Sequence, residues 1–343
     1  MTDKPETTED KKILLGHGSG GLLSHALISD VFLKAFTNPL LSPLNDQAIF
    51  SLPPARVAFT TDSYVVSPIF FPGGDIGKLS VCGTINDLVV GGARPLYLSA
   101  SFIIEEGYSI KALEKIALSM AATARDAGVL IVTGDTKVVE RGKGDGVFIN
   151  TAGIGIVPDG LELGPELIRP GDVVIASGTI GDHGIAIMMH REGIEMDVPV
   201  TSDCAPLHSL VEDMLSCGAG LKAMRDPTRG GVATLLAEFA SASGCGFLIR
   251  ETAVPVKDAV RGACELLGFD PLYLANEGKL IAVVSREHAD KMLEAMRKNP
   301  LGRDAAIIGE VIEKPAGLVL LETSIGNRRI LDMLSGEQLP RIC

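Results

Sequence analysis

Apolar and polar positions along this chain fall into blocks that define two mixed units. The first twelve residues, "MTDKPETTEDKK", carry no apolar pattern and are expected to be disordered. Apolar residues then recur at helical spacing through "LLSHALISDVFLKAF", which predicts a helix behind the glycine-rich "GHGSGG". "RVAFTTDSYVV", "PLYLSASFIIEE", "VLIVTGDTKVV" and "VFINTAGIGIV" are rich in Val, Ile, Phe and Tyr and read as four strands. Between them lie two helices, "DIGKLSVCGTINDLVVGG" and "SIKALEKIALSMAATARDAG", the second closing on a C′ glycine.

At "VPDGLELGPELIRPGD" the pattern gives way to Pro, Gly and acids, as in a linker. A second unit follows: strand "DVVIASG", three helical segments up to residue 243, then strand "GFLIRETAVPV" and helix "KDAVRGACELLG". Strand "KLIAVVS", helix "EHADKMLEAMRKN" and the strands "AAIIGEVIE" and "GLVLLE" complete it. The expected fold is α+β (mixed α/β), with an N-terminal domain over 13–160 and a C-terminal α/β domain over 170–325. Residues 326–343 are expected to form a flexible tail, because "SGEQLPRIC" joins a glycine and a proline without an apolar pattern to pin it.

Composition narrows the function. With 39 glycines, no tryptophan and only 4% aromatic residues, the chain suits close backbone approach to a ligand better than base stacking. Its formal net charge of −12 argues against nucleic acid and against a membrane surface as partners. An anionic substrate would then need a bound cation between it and the protein. The start has no apolar signal-peptide core, and no apolar run is long enough to span a bilayer. Six cysteines without a CxxC pair read as reduced thiols, hence a cytoplasmic protein.

Four aspartates in the first half stand out. Asp46 in "NDQA", Asp62 in "TTDS", Asp87 in "TINDL" and Asp135 in "TGDT" interrupt or flank apolar runs. Acids in such settings need a partner, and hard divalent cations bridging to phosphate oxygens would supply one. The alternative is ordinary turn and cap chemistry. "GHGSGG" offers Gly18, Ser19, Gly20 and Gly21 either as a phosphate cradle at a helix start or as a mobile lead-in. No P-loop exists. In "RDPTRGG", Asp226 and Pro227 fit a helix N-cap and N1, yet Arg229 beside Gly230 and Gly231 also makes an anion seat. Taken singly, Lys137 and Glu277 read as solvated loop charges, His183 as structural, and His17 as a phosphate contact or nothing. The last residue, Cys343, fits neither a core nor a prenylation signal.

Together, "NDQA", "TTD", "ND…GARP", "GDT" and "DPTRGG" resemble the ATP-binding superfamily of aminoimidazole ribonucleotide synthetase. That superfamily also holds selenophosphate synthetase and thiamine-monophosphate kinase. With "HGSGG" near the start and "PRIC" at the end, the chain resembles the carbamoyl dehydratases of [NiFe]-hydrogenase maturation from about residue 13 onward. The resemblance implies ATP and Mg²⁺ as cofactors. Residues 13–160 would be the ATP-binding domain, its sheet forming half of a barrel in a homodimer. Cys343 would carry a carbamoyl group loaded by a partner carbamoyltransferase. Phosphorylation of the carbamoyl oxygen and elimination would leave a thiocyanate, passed to an iron–cyanide scaffold complex. Glu277 would be the base, assisted by Lys137, with Asp46, Asp62, Asp87 and Asp135 as metal ligands. Two alternatives stay open at this point: another ATP-dependent kinase or synthetase of the superfamily, and a non-catalytic nucleotide-binding scaffold.

Overall fold

A computed structural model describes residues 11–19, 21–45, 47–52, 54–194, 197–218, 220–334 and 342–343. Its N-terminal unit is a four-stranded sheet of β1 (Arg56–Tyr64), β2 (Arg94–Glu105), β3 (Leu130–Val139) and β4 (Val147–Val157). The order is β1-β4-β2-β3, with β2 and β3 parallel and the other neighbours antiparallel. These are the four strands that the β-branched and aromatic runs predict.

One face of the sheet is covered by helices. Helix α1 (22–36) widens into a π-helix over Ile28–Leu33. Helix α2 (Ile76–Val90) is capped by Asp75, whose carboxylate accepts from the Gly77 and Lys78 N–H groups. Only Lys78 and Asp87 of α2 escape burial, so the helix threads the interior between the two domains. Helix α3 (Ile110–Asp126) is amphipathic; Leu113, Ile116, Ala117, Met120 and Ala124 give it a buried stripe.

The opposite face of the sheet is open. Along β1 the residues alternate between half-buried and exposed, leaving Val57 50% and Phe59 68% accessible. Phe59 pairs with Ile154 and Val57 with Ile156, while Ile103 on β2 is 46% accessible. A sheet face this apolar is unusual for a surface exposed to water.

The C-terminal unit is a seven-stranded sheet. In chain order it holds β5 (Val173–Ala176), β6 (Leu221–Arg225), β7 (Gly246–Arg250), β8 (Ile281–Val284), β9 (Ala306–Ile312), β10 (Val319–Glu322) and β11 (Arg328–Ile330). Their order across the sheet is β11-β10-β7-β9-β5-β8-β6, with only β7 and β10 parallel. Both faces are covered: Val173 and Ile175 belong to one apolar cluster, Val174 and Ala176 to the other. That explains the unbroken apolar runs of these strands. Helices α4 (Asp182–Glu192), α5 (His208–Ser216), α6 (Gly231–Ser243), α7 (Asp258–Leu267) and α8 (Ala289–Lys298) flank the sheet.

Two strands go beyond the sequence reading. Edge strand β6 lies between two of the expected helices, and its Leu-Lys-Ala-Met-Arg has no β-branched residue to reveal it. Edge strand β11 falls within the expected tail. It pairs with β10, and Leu331 just beyond it is buried.

Candidate active site

The two units meet at a cleft of about 260 Å³ lined by Asp62, Tyr64, Asp87, Arg225, Asp226, Arg229, Glu277 and Cys343, among others. The side chains arrive from several elements of both units. Asp62 is on β1, on the same face as Thr60 and Tyr64, which look toward α2. Asp87 is on α2, where the Thr60 hydroxyl donates to its Oδ2 at 2.8 Å. Burial raises the pKa of Asp87, and the charge of Asp62 adds to the shift; Thr60, Arg225 and Arg229 oppose it.

Asp226 follows β6. The structure overturns its alternative role as a helix cap, because α6 begins only at Gly231, with Gly230 as its N-cap. Both glycines adopt left-handed φ angles, +76° and +62°, and a Cβ at Gly231 would sit 2.5 Å from the Leu272 carbonyl. Only glycine lets this loop turn so tightly against its neighbour. Asp226 is thereby left facing the cleft, where burial and the charges of Asp87 and Asp62 push its pKa up to about 7.

Glu277 is 2% exposed, and its Oε1 has no hydrogen-bond partner among the described residues. Burial raises its pKa, with Cys204, Asp226, Asp203 and Asp62 adding to the shift. Its backbone, by contrast, is held on both sides. The Glu277 and Gly278 N–H groups donate to the two carboxylate oxygens of Asp203 at 3.1 and 3.3 Å, and Asn86 Nδ2 donates to the Glu277 carbonyl. Gly278 has no space for a side chain, since a Cβ would lie 1.9 Å from the Asp203 carbonyl oxygen. Asn276 fastens the same loop to the "RDPTRGG" turn, donating from Nδ2 to the Pro227 carbonyl, and accepts from the Gly181 N–H.

The chain ends in this cleft. Ile342 is 5% exposed and Cys343 is partly buried. Burial pushes the Cys343 thiol far up; the charge of Glu277 and a hydrogen bond with it add to this, and Arg229 pulls the other way. In this structure the last two residues of the expected flexible tail rest in the cleft. A single buried isoleucine contributes roughly 1.5–3 kcal/mol and leaves no periodic signature in the sequence.

The remaining expected site residues lie apart. A second cleft, of about 530 Å³, is lined by Gly18, residues of α1, and Asp135 and Lys137 on β3. Asp62 on β1 and Asp135 on β3 occupy opposite edges of the sheet, three strand spacings or roughly 14 Å apart. Asp135 pairs with Ser101 and Lys137 with Ile103, which puts them in register with the open face. Lys137 Nζ lies 3.7 Å from Asp135, and both side chains are largely exposed. Gly18 packs so closely on β3 that a Cβ would meet Val138 N at 2.5 Å, while Gly21 faces open space. The Ser19 hydroxyl donates to the Gly16 carbonyl, and His17 Nδ1 accepts from the Leu14 N–H. Gly20 and Asp46 lie outside the described residues.

The chemistry of the cleft suits a hard cation only in company. Asp62, Asp87 and Asp226 supply carboxylate oxygens, and burial, with repulsion among these acids, raises the pKa of Asp87 and Asp226. Yet among the described residues no three acids are close enough to form a cation cage by themselves. A cation here would complete its shell with phosphate oxygens and water, as Mg²⁺ commonly does.

Asp203, Asn86 and Asn276 were not legible as site residues: Asp203 sits in a stretch without a motif, and the two asparagines reach the site only through the hydrogen bonds of the folded chain. His183 reads as structural in the sequence; it is fully buried, with Nε2 2.8 Å from the Ile342 carbonyl oxygen. All six cysteines are free thiols.

Comparison with known proteins agrees with this architecture. The N-terminal domain of AIR synthase related proteins matches residues 44–157, and the C-terminal domain matches 169–321. Carbamoyl dehydratase HypE of Rhizobium leguminosarum bv. viciae is 59% identical, over 97% of this chain and 95% of the relative. The Escherichia coli (strain K12) HypE is 51% identical, over 96% and 99%. A crystal structure of the hydrogenase maturation protein HypE in complex with ATP superposes with a TM-score of 0.93, at 51% identity over 96% of this chain and 99% of that one. A HypE–HypF complex matches with a TM-score of 0.79, at 50% identity over 90% of this chain and 100% of that one. Thiamine-monophosphate kinase from Stenotrophomonas maltophilia K279a, at 19% identity and a TM-score of 0.66, shares the fold. Two matching domains and near-full-length identity above one half make this chain a member of the HypE carbamoyl dehydratase family, within the AIR synthase related proteins.

Proposed function

We propose that the chain dehydrates a carbamoyl group carried on its own Cys343, at the expense of ATP, to give a protein thiocyanate for hydrogenase maturation. The observation that carries this reading is the placement of the Cys343 thiol against Glu277, in a cleft that also presents Asp62, Asp87, Asp226 and Arg229. A thiocarbamate loses its oxygen only after that oxygen has been made a leaving group. Transfer of the γ-phosphoryl group of ATP to it, followed by loss of both amide protons and departure of phosphate, converts S–C(=O)NH₂ into S–C≡N. Mg²⁺, held by Asp62, Asp87 and phosphate oxygens, would neutralise charge on the transferring group.

This chain's residues divide the work. Glu277 faces the carbamoyl nitrogen and takes its protons; its raised pKa makes it a stronger base than an ordinary carboxylate. Arg229 supplies positive charge beside the thiol, and Gly230 and Gly231 keep the loop that carries it tight. Gly18, Ser19 and Gly21 border the second cleft, with Gly20 between them in the sequence, as a candidate phosphate cradle near Asp135 and Lys137.

Lys137 and Asp135 would join this chemistry through a second copy. The open sheet face, with Val57, Phe59 and Ile103 exposed, suits burial in a homodimer that closes two four-stranded sheets into a barrel. The HypE–HypF complex supports a carbamoyltransferase that loads Cys343; an iron–cyanide scaffold complex would receive the product. Six free thiols suit the cytoplasm, and no described helix is long and apolar enough to cross a membrane.

The test is intact-protein mass spectrometry. With the carbamoyltransferase and carbamoyl phosphate, Cys343 gains one carbamoyl group; ATP and Mg²⁺ then remove the mass of one water. Carbamoylation of an internal cysteine, or thiocyanate formation by Cys343→Ala, would overturn the reading.

A further inference from the structure

The carrier end is held in the cleft by a hydrogen-bonded relay that reaches it from α4. His183, in the first turn of that helix, is completely buried. Its Nε2 lies 2.8 Å from the carbonyl oxygen of Ile342, and its Nδ1 lies 2.8 Å from the hydroxyl of Ser202. A carbonyl oxygen can only accept, so Nε2 must carry the proton. Burial lowers the pKa of His183 and keeps the ring neutral, which leaves Nδ1 as an acceptor. Ser202 is then obliged to donate to Nδ1, and its oxygen is free to accept from the Cys204 N–H at 3.1 Å. Every atom of the relay thus has one consistent role. The ring is also fixed laterally by Phe71, edge-on at a centroid distance of 5.6 Å.

The residue after Ser202 is Asp203, whose carboxylate accepts from the Glu277 and Gly278 N–H groups. Two adjacent residues therefore reach both partners of the reaction: Ser202 through His183 to the carrier end, and Asp203 to the loop of the base. One peptide thus ties the carrier end and the loop of Glu277 to the same segment.

We propose that His183, with its tautomer fixed by Ser202, is a positioning residue that latches the Ile342 carbonyl and so seats Cys343 opposite Glu277 for dehydration. The proposal rests on the carrier role of Cys343. The latch acts only while the end is inside the cleft. It contributes to the dehydration half-reaction and not to loading, which takes place on a partner enzyme. One neutral hydrogen bond is strong enough to favour the seated state and weak enough to let the end leave again.

The experiment compares full-length wild type, His183→Phe, His183→Gln and Ser202→Ala. Loading by the carbamoyltransferase and subsequent loss of water are each timed by intact mass. His183→Phe keeps the ring and removes the donor; it is expected to load at the wild-type rate and to dehydrate about fivefold to tenfold more slowly. Gln restores an N–H donor and is expected to recover to within about twofold. Ser202→Ala, which leaves the imidazole in place, is expected to slow dehydration about threefold by releasing the tautomer. A second readout is independent of carbamoylation: alkylation of Cys343 by iodoacetamide should quicken severalfold in His183→Phe, with the five internal cysteines unchanged. Wild-type dehydration in His183→Phe, or a parallel fall in loading and dehydration that Gln does not rescue, overturns the latch. So does unchanged alkylation of Cys343. A wild type that is never carbamoylated at Cys343, together with faster alkylation in His183→Phe, would overturn the carrier reading and leave the latch standing.

Discussion

The Cys343 thiol and the Glu277 carboxyl line the same interdomain cleft, and burial raises the pKa of both groups. At rest, therefore, neither is driven to ionise, and a neutral pair occupies a site otherwise crowded with acids. A carbamoyl group on the sulfur would enter the same space between the thiol and the carboxyl. On the proposed function, the base would already be in place when the carrier returns loaded.

Glu277→Gln tests that arrangement. The amide matches the carboxyl in size and cannot take a proton, so nucleotide binding should persist while dehydration of loaded Cys343 falls by about 10²–10⁴-fold. The intact mass should then stay at the carbamoylated value after ATP is added. In the wild type, the pKa of Glu277 is raised, so its base form grows only above the usual carboxylate range. Single-turnover dehydration should accordingly go on rising with pH through the range above the ordinary carboxylate pKa. A rate flat across that range would assign the base to another group.

Asp226 gives a stability prediction with a defined sign. Its pKa is about 7 in the folded chain against an ordinary 3.8. Between those values the unfolded chain has released this proton while the folded chain still binds it. The contribution of Asp226 is therefore present at low pH and is lost as pH rises toward 7. Asn cannot ionise, so in chelator Asp226→Asn should be more stable than wild type at pH 8, by a few kcal/mol at most, and equal to it near pH 4. Urea unfolding at the two pH values measures this. A variant less stable than wild type at pH 8 would contradict it.

Asp87 should separate nucleotide handling from folding. It is one of two unburied residues on α2, and it accepts a hydrogen bond from Thr60. Asp87→Asn keeps the shape and relieves the repulsion with Asp62 noted in its raised pKa. ATP turnover should fall by at least about tenfold at fixed Mg²⁺, with thermal stability unchanged or slightly higher. Normal turnover would reduce Asp87 to a helix residue.

Much of this was legible before any coordinates, and the physical reason is specific. Asp62 and Asp87 stand out because acids in apolar segments violate burial rules, and such violations mark sites. The four N-terminal strands stand out because β-branched runs bounded by glycine leave few alternatives. What stayed hidden is tertiary. Asp203 and Asn86 look like ordinary loop and helix residues until the fold brings them to the Glu277 backbone. His183 gains meaning only from Ile342, which lies far from it in sequence. Strand β6 lacks β-branched residues and gains its conformation from pairing with β8. Grouping Asp62 with Asp135 by motif alone could not reveal that sheet order sets them at opposite edges.

That separation leads to the final prediction. Lys137 is placed on the open face of the sheet in register with Ile103, and Glu277 is in the cleft on the helix side, so one chain does not bring them together. If both serve one reaction, the lysine must come from a second copy docked on that face. Lys137→Ala and Glu277→Gln should each be nearly inactive as homodimers. When the two are mixed and allowed to exchange subunits, half the dimers become mixed, and each of those holds one site with both groups intact. About one quarter of wild-type activity should return. Were Lys137 to act within its own chain, every site in every dimer would lack one group and mixing would restore nothing. Recovery should also follow subunit exchange in time, rising as mixed dimers form. A mixture that stays inactive after exchange, verified with differently tagged copies, would place Lys137 within its own subunit, and full activity of Lys137→Ala alone would place it outside the reaction.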